Sequence, residues 1–144
     1  MIGQGGIDLI KKLVVFQSQE FEGLDGKRRI GYGHICGENE TFPLGVNLAT
    51  AEMLLLDDLT ESEMPVNRLL EHTPLSGNQY DALVLLIFDI GAGAFENSLL
   101  YDYLRRGDYV AAAAEFPRFC KINKRGDMDK LKRRLEEMKL FLLE

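Results

Sequence analysis

The sequence predicts an α+β fold in a single domain of 144 residues. Three observations predict it: apolar residues at helical spacing near the start, a glycine-rich stretch of aromatic and polar residues, and helix-forming segments over the remainder. We expect a helix and small antiparallel sheet lobe over about 1–46 and a larger helical lobe over about 47–144. Such domains commonly bind ligands in a crevice, so a cleft is expected between the lobes.

The first part of the chain is predicted to hold one helix and the sheet. A helix is expected near residues 5–14, where isoleucine, leucine and valine recur every three or four positions. The sheet is expected within residues 16–46. Asp25-Gly26 is the expected hairpin turn, because glycine adopts the positive φ that a tight turn requires.

At least four helices are predicted beyond Gly45. Asn47 and Asp108 are expected N-caps, and Ser76 with Gln79 matches a capping box. The last helix is expected to bury one apolar stripe. That stripe consists of Leu131, Leu135, Met138 and Leu142.

Composition excludes several classes of protein. The net charge of −6 disfavours nucleic-acid binding, because phosphate contacts require a basic surface. No apolar run reaches the roughly 18 residues of a membrane span, and the start lacks a secretory signal, so we expect a protein that is cytoplasmic as synthesised. Cys36 and Cys120 lack metal-ligand spacing and are expected to be free thiols. Neither a metal nor a cofactor is expected.

Charge is unevenly distributed along the chain, which leaves room for binding surfaces. Acidic residues crowd the middle: Glu38, Glu40, Glu52, Asp57, Asp58, Glu61 and Glu63. Basic residues crowd the C-terminal part: Lys121, Lys124, Arg125, Lys130, Lys132, Arg133 and Arg134. A solvated helix face and a partner-binding patch are both compatible with the basic group.

Seven segments in a fixed order carry a family resemblance that covers nearly the whole chain. They are "GIDLIKK", "IGYGH", "AEMLLLDDL", "PLSGNQYDALV", "FDIGAGAF", "LRRGDYVAAAAEF" and the closing Arg-rich helix. In these segments the chain resembles the phage-type lysozymes or endolysins of glycoside hydrolase family 24. The resemblance implies a lysozyme-like fold, and a phage, a prophage and a bacterium all remain open as the source. The resemblance also implies hydrolysis of the muramic acid–glucosamine link of peptidoglycan by a glutamic acid, assisted by an aspartate and a threonine on the sheet lobe.

The register of the resemblance decides which residues occupy those three positions. Gly6 and Ile30 are separated by 30 − 6 = 24 residues, as the same landmarks are in the family pattern, so no gap is needed. In that register the glutamate falls on Val14, the aspartate on Gly23 and the threonine on Arg29. A valine cannot donate a proton, so the resemblance implies a catalytically degenerate member.

A second register would restore an acid. "FEGL" itself looks like the family's "Phe-Glu-Gly-Leu" and would make Glu22, or its neighbour Glu20, the catalytic residue. This register deletes about eight residues between the acid and the hairpin, including the strand that carries the aspartate. In the ungapped register both glutamates are polar residues at a sheet edge.

The resemblance also assigns residues outside the catalytic positions. It implies a structural salt bridge between His34 and Asp58. Tyr32, Phe88 and Asp89 are the expected lining of the binding cleft, with Asp89 where the family usually has an uncharged amide.

Three functions therefore remain open from the sequence. The first is a pseudoenzyme that binds a peptidoglycan-type glycan or a protein partner. The second is an active peptidoglycan muramidase that uses Glu22 or Glu20. The third is an adaptor that contacts another protein through its charged surfaces.

Overall fold

The computed structural model describes residues 1–122 and 124–143 and confirms the predicted α+β fold. Within these residues, the helices are α1 Gln4–Leu13, α2 Leu48–Leu69, α3 Gly77–Ile90, α4 Ala92–Glu96, α5 Leu99–Arg105, α6 Tyr109–Glu115 and α7 Met128–Leu142. The strands are β1 Gln17–Glu22, β2 Arg28–Gly31, β3 His34–Ile35, β4 Lys121–Ile122 and β5 Arg125–Gly126.

The chain divides into two compact units. One, called here the sheet unit, is Asp8–Asp58, and the other, the helical unit, is Met1–Ile7 together with the chain from Leu59 onward. Helices α1 and α2 each begin in one unit and end in the other. The units therefore meet inside these two helices, whereas the sequence suggested a lobe boundary near residue 46.

The sheet unit is built on a three-stranded antiparallel sheet in the order β1-β2-β3. The β1–β2 hairpin turns at Gly26, whose φ of 80° is left-handed, as the Asp25-Gly26 turn predicted. Ile30, Val46 and Ala51 form the buried core below the sheet. A Cβ built on Gly31 would lie 3.1 Å from Cβ of Ala51, so glycine lets β2 approach α2 closely.

The predicted helix starts agree with the observed caps. The side chain of Asn47 accepts a hydrogen bond from the backbone N–H of Thr50 at 2.8 Å. Ser76 and Gln79 form both bonds of a capping box at the start of α3, and Asp108 caps α6. Local side-chain chemistry therefore sets where these helices begin.

The helical unit packs α3 against α7, and the predicted apolar stripe of α7 is not its fully buried face, since Leu131 and Met138 are only half-buried. The buried residues of α7 are Arg134, Glu137 and Phe141, whereas Leu142 is 54% exposed and Leu135 is 37% exposed. Charged side chains occupy the inner face because they pair with one another and with α3. An apolar periodicity alone does not detect such a face.

The start of the chain is tied to the helical unit by two carboxylates. The backbone N–H groups of Ile2 and Gly3 donate to Glu63 and Asp81, respectively, and both carboxylates are buried. Asp81 also accepts a backbone bond from Gly6, so a distant side chain satisfies the first turn of α1. Among the described residues, none of the helices has the length and apolarity needed to cross a membrane.

Candidate functional site

Val14 lies directly after the last residue of α1, where the resemblance places the catalytic glutamate. Its backbone N–H still donates to the carbonyl of Ile10 at 3.0 Å, so the helical turn of α1 fixes its position. The side chain is half-buried, and a Cβ built on Gly33 would lie 3.7 Å from Cγ1 of Val14. Val14 therefore borders the Gly-Tyr-Gly-His turn.

Arg29 and Gly23 face each other across the β1–β2 hairpin. Nη1 of Arg29 donates to the carbonyl of Gly33 at 2.9 Å, and Nη2 donates to Oδ2 of Asp25 at 2.7 Å. A Cβ built on Gly23 would lie 3.2 Å from Nε of Arg29 and 2.9 Å from Oδ1 of Asp25. We call Val14, Gly23, Asp25, Arg29 and Gly33 the hairpin cluster.

The ion pair in the hairpin cluster is partly shielded from water. The side chain of Arg29 is 22% exposed and that of Asp25 is 34% exposed. Burial by itself raises the pKa of Asp25, but hydrogen bonds from the Arg29 side chain and the Lys27 backbone outweigh it, so the pKa lies below its usual value. Sequence reasoning missed Asp25 as a member of the site, although its four-residue spacing from Arg29 across a turn was a usable signal.

The chemistry open to the hairpin cluster is binding rather than proton transfer. Valine and glycine have no titratable group, and a guanidinium stays protonated at any ordinary pH, so it cannot serve as a general acid. The carboxylate of Asp25 is ionised and engaged by Arg29, which also leaves it unsuited to donate a proton. A guanidinium in this position can bind an anion instead.

Neither alternative glutamate lies where a helix ends. Glu20 and Glu22 both belong to strand β1, and Glu22 pairs with Arg28 in the register of the hairpin. Oε1 of Glu20 lies 3.4 Å from Nη1 of Arg28, and Glu22 is exposed. A general acid is normally shielded from water by apolar neighbours, an environment that an exposed residue at the end of a strand lacks.

His34 joins β3 to α2 through two carboxylates. Nδ1 of His34 lies 2.8 Å from Oδ2 of Asp58, the pair that the resemblance implies, and Nε2 lies 2.8 Å from Oε1 of Glu40. Burial by itself lowers the pKa of His34, but the hydrogen bonds to Asp58 and Glu40 outweigh it, so the pKa is raised. Protonated His34 can donate from both ring nitrogens and so bridge the two carboxylates, and Glu40 is a partner that the sequence did not reveal.

The three residues expected to line a binding cleft have different surroundings. Tyr32, in the sheet unit, is half-buried against Phe16, with ring centroids 5.6 Å apart. Phe88, in the helical unit, lies 5.7 Å beneath the guanidinium carbon of Arg133. A role for either in ligand binding stays a prediction.

Asp89 belongs to a buried ion cluster between α3 and α7. Its carboxylate, 7% exposed, lies 2.5 Å from Nζ of Lys130, 3.6 Å from Nη1 of Arg133 and 2.9 Å from Nη2 of Arg134. Burial by itself raises the pKa of Asp89, but these cations lower it to about 2. Glu137, fully buried, pairs with both arginines from the same helix. The carboxylate of Asp89 is thus paired with cations of α7, and its contact with a ligand stays a prediction.

The basic residues of the C-terminal part do not form one surface. Arg133 and Arg134 point inward to the Asp89 cluster, whereas Lys121, Lys124 and Arg125 are exposed on the β4–β5 hairpin. In the described part of the chain, no group of three or more His, Cys, Asp or Glu side chains is arranged to bind a metal. Cys36 and Cys120 are free thiols.

Comparison with known proteins identifies the family of this arrangement. The family described as Phage lysozyme matches residues 12–137, which is most of the chain. The chain belongs to the phage lysozyme family. It is 34% identical to the endolysin of Acyrthosiphon pisum secondary endosymbiont phage 1, with 97% of each protein covered.

This chain spans about half the length of some of the endolysins that it matches. The endolysin of Bacillus phage PZA is 35% identical over 97% of this chain, but the chain spans only 54% of that protein's length. Among solved structures, the muramidase domain of SpmX from Asticaccaulis excentricus matches with a TM-score of 0.88 at 33% identity, covering 100% of this chain and 99% of that one. The lysozyme-like fold is therefore shared over the whole chain.

Proposed function

We propose that this member of the phage lysozyme family has lost muramidase catalysis and binds a peptidoglycan-type glycan without cleaving it. The observation that carries the proposal is the hairpin cluster: Val14, Gly23 and Arg29 stand where the family pattern has its acid, aspartate and threonine. Loss of a general acid alone typically removes about 100- to 10,000-fold in rate. Loss of residues that act as a unit leaves little residual catalysis.

The position of Val14 supports the ungapped register. The family's glutamate follows the opening helix, and Val14 directly follows α1, which ends at Leu13. Glu22 lies eight residues further on, at the end of a strand (22 − 14 = 8). An active enzyme that uses Glu22 would need a different connection between α1 and the hairpin.

Arg29 adds an argument from charge. Glycoside hydrolysis passes through a transition state with positive character on the sugar. The guanidinium of Arg29, held by Asp25 and Gly33, would place a positive charge on the sheet-lobe side of that sugar. The residue therefore opposes the reaction, whereas it favours an anionic ligand.

The relatives support peptidoglycan as the ligand class. Proteins similar to this chain are named endolysins, and a structural neighbour is named a muramidase domain. Their sources support a phage or prophage origin for this chain. A fold that keeps its packing while it loses its acid is suited to hold the same polymer intact. A protein partner is the alternative occupant.

Sedimentation with insoluble peptidoglycan tests this function. Purified protein should pellet with peptidoglycan while the turbidity of the suspension stays constant, and soluble peptidoglycan fragments should compete it off. Protein that stays in the supernatant at every glycan concentration would favour the protein partner. Falling turbidity would show that the protein hydrolyses peptidoglycan and would contradict the proposal.

A further inference from the structure

Helix α2 carries apolar residues on two opposite sides. A surface helix normally has one apolar stripe, which faces the core. In α2 that stripe is buried and consists of Ala51, Leu55, Leu59 and Val66. Met53 is two positions from both Ala51 and Leu55. Met64 is likewise two positions from Val66. Because each residue of an α-helix turns by about 100°, both methionines lie on the side away from the core.

The exposed side of this helix is called here the outer face of α2. It consists of Ala49, Met53, Leu56, Thr60 and Met64. These residues recur every three or four positions, so they form one strip over about four turns of the helix. Met53 is 66% exposed, Met64 is 65% exposed and Leu56 is 39% exposed. Methionine adapts to irregular partner surfaces, and a contiguous exposed apolar strip is typical of a protein-binding surface.

The charge along α2 has one sign. From Leu48 to Asn67 the helix contains no lysine or arginine, and its acidic residues are Glu52, Asp57, Asp58, Glu61 and Glu63. Glu52, Asp58 and Glu63 are paired with a lysine, a histidine and the N-terminal ammonium group, respectively. Among the described residues, Asp57 and Glu61 have no ion pair, and both are exposed. They lie one turn apart along one edge of the outer face.

Charge decides between the possible occupants of the outer face. The α2 helix of a second copy would bring its own acidic residues and no cation, since none lies between Leu48 and Asn67. A lipid surface rich in anionic headgroups would also repel the two carboxylates. The complementary occupant has its own apolar stripe flanked by lysine or arginine, which is the pattern of a basic amphipathic helix.

We propose that the outer face of α2, with Asp57 and Glu61 at its edge, binds a basic amphipathic helix of a protein partner. The partner helix packs its apolar stripe against Met53, Leu56 and Met64, and its cations pair with the two carboxylates. One helix face of four turns buries less than the roughly 800 Å² per partner of a standard interface, so the complex is transient, with a Kd of about 1–100 μM. The outer face contains no residue of the hairpin cluster, so this binding does not depend on the proposed binding of glycan.

Titration with three designed peptides tests this proposal. The first peptide is a helix of about 16 residues with leucine at helical spacing and lysine on both sides of the leucines. The second carries glutamate in place of lysine, and the third has the composition of the first in scrambled order. NMR or fluorescence anisotropy titration of the whole chain should show that the first peptide binds about 10-fold or more tightly than either of the others.

Substitutions at exposed positions separate the apolar contact from the charge contact. Met53→Gln combined with Met64→Gln should weaken binding of the lysine peptide by about 10-fold or more. Met128→Gln is the matched control and should change nothing, because Met128 is 67% exposed on α7. Glu61→Lys should weaken binding by about 3- to 10-fold. Glu38→Lys makes the same change of charge at an exposed position outside α2 and should weaken binding by less than about 2-fold.

Three results would each overturn the proposal: equal binding of the lysine peptide and its scrambled form, binding that survives the two methionine substitutions, or equal effects of Glu61→Lys and Glu38→Lys. Light scattering that shows wild-type dimers, lost in the double methionine variant, would assign the outer face to a second copy instead. Circular dichroism verifies that each variant is folded. Pelleting with peptidoglycan should be the same for the wild type and these variants, so a failure of peptide binding is distinguishable from a failure of glycan binding.

Discussion

Gly23 and Arg29 are coupled at the scale of single residues. A side chain at position 23 would begin 3.2 Å from Nε of Arg29 and 2.9 Å from Oδ1 of Asp25, so it would displace the ion pair. A side chain at position 23 and the Arg29–Asp25 pair therefore compete for the same space. A test of catalysis has to change residues 23 and 29 together with Val14.

The first prediction is a rescue of activity by three substitutions. Val14→Glu places a carboxyl in a half-buried, apolar position, which should raise its pKa into the range of a useful acid. With Gly23→Asp and Arg29→Thr, the variant should release reducing ends from peptidoglycan, at a rate about 100-fold or more above that of Val14→Glu alone.

Val15→Glu in place of Val14→Glu provides the matched control for this rescue. Val15 is the next residue and is 75% exposed, so its carboxyl should keep an ordinary pKa. The control triple variant should be inactive. Equal activity of the two triple variants would mean that Val14 does not occupy the position of the acid.

At the scale of elements, the first turn of α1 depends on close packing at a glycine. A Cβ built on Gly6 would lie 2.9 Å from the side chain of Ile2 and 3.0 Å from Cβ of Asp81, whereas nothing lies within 4 Å of one built on Gly5. Both residues are in the same helix with negative φ. Alanine substitutions at the two positions therefore separate the effect of packing on stability from the effect of helix propensity.

The second prediction follows from this pair of glycines. Gly6→Ala should lower the free energy of unfolding by about 1–3 kcal/mol, because the added methyl group overpacks the junction with Asp81. Gly5→Ala should raise it by about 0.5–1 kcal/mol through helix propensity alone. Urea denaturation of the two variants measures both values. A stabilising Gly6→Ala would show that the start of α1 is not held against Asp81.

The third prediction concerns the connection of β3 to α2 through His34. Because its pKa is raised above the unfolded value of 6.5, protonated His34 contributes full stability below that pH, and the contribution is lost as pH rises through the folded value. His34→Gln should cost about 1–3 kcal/mol at pH 6 and progressively less at alkaline pH. Chemical denaturation across this range measures the difference.

His72 is the matched control for that titration, since its side chain is 92% exposed. His72→Gln should leave the pH profile unchanged. A cost of His34→Gln that is constant from pH 6 to alkaline pH would contradict a protonated His34 between Asp58 and Glu40.

At the scale of the whole molecule, the fold was predictable because its signals are local. Helical spacing placed α1, and the side chains of Asn47, Ser76 and Asp108 marked helix starts. The inner face of α7 was not predictable from apolar periodicity. Its buried Arg134 is stabilised by Asp89, a residue 45 positions away (134 − 89 = 45).

The proximity of the predicted site residues agrees with the structure, while their role stays a prediction. Fixed spacing between Gly6 and Ile30 predicted Val14, Gly23 and Arg29; Val14 and Arg29 both lie at Gly33, and Gly23 lies beside Arg29. The sequence did not predict the ion-pair partners Asp25 and Glu40. Glu40 beside His34 depends on how a turn folds back on the sheet, which spacing does not encode, whereas the four-residue spacing of Asp25 and Arg29 was a signal that sequence reasoning did not use.

The fourth prediction tests the buried ion cluster of the helical unit. Asp89→Asn removes the charge that compensates Lys130, Arg133 and Arg134, so it should cost about 3 kcal/mol at pH 7. Because the pKa of Asp89 is about 2, below its usual value, the wild-type contribution is present above pH 4 and is lost only as pH falls through 2.

Glu136→Gln is the control for the ion cluster, because it removes a partner of the exposed Lys139 on the same helix, and the Glu136 side chain is itself 40% exposed. It should cost less than about 0.5 kcal/mol. Thermal or chemical denaturation compares the two variants. Equal and small effects would mean that the cations of α7 do not depend on Asp89.

The central claim is that the wild-type protein does not hydrolyse peptidoglycan, and the most direct measurement is release of reducing ends during long incubation at high protein concentration. Wild-type protein, Glu20→Gln and Glu22→Gln should all give the value of the buffer control, because no residue of the hairpin cluster can donate a proton. Release of reducing ends by the wild type that disappears in Glu22→Gln or Glu20→Gln would contradict the account and identify an active muramidase.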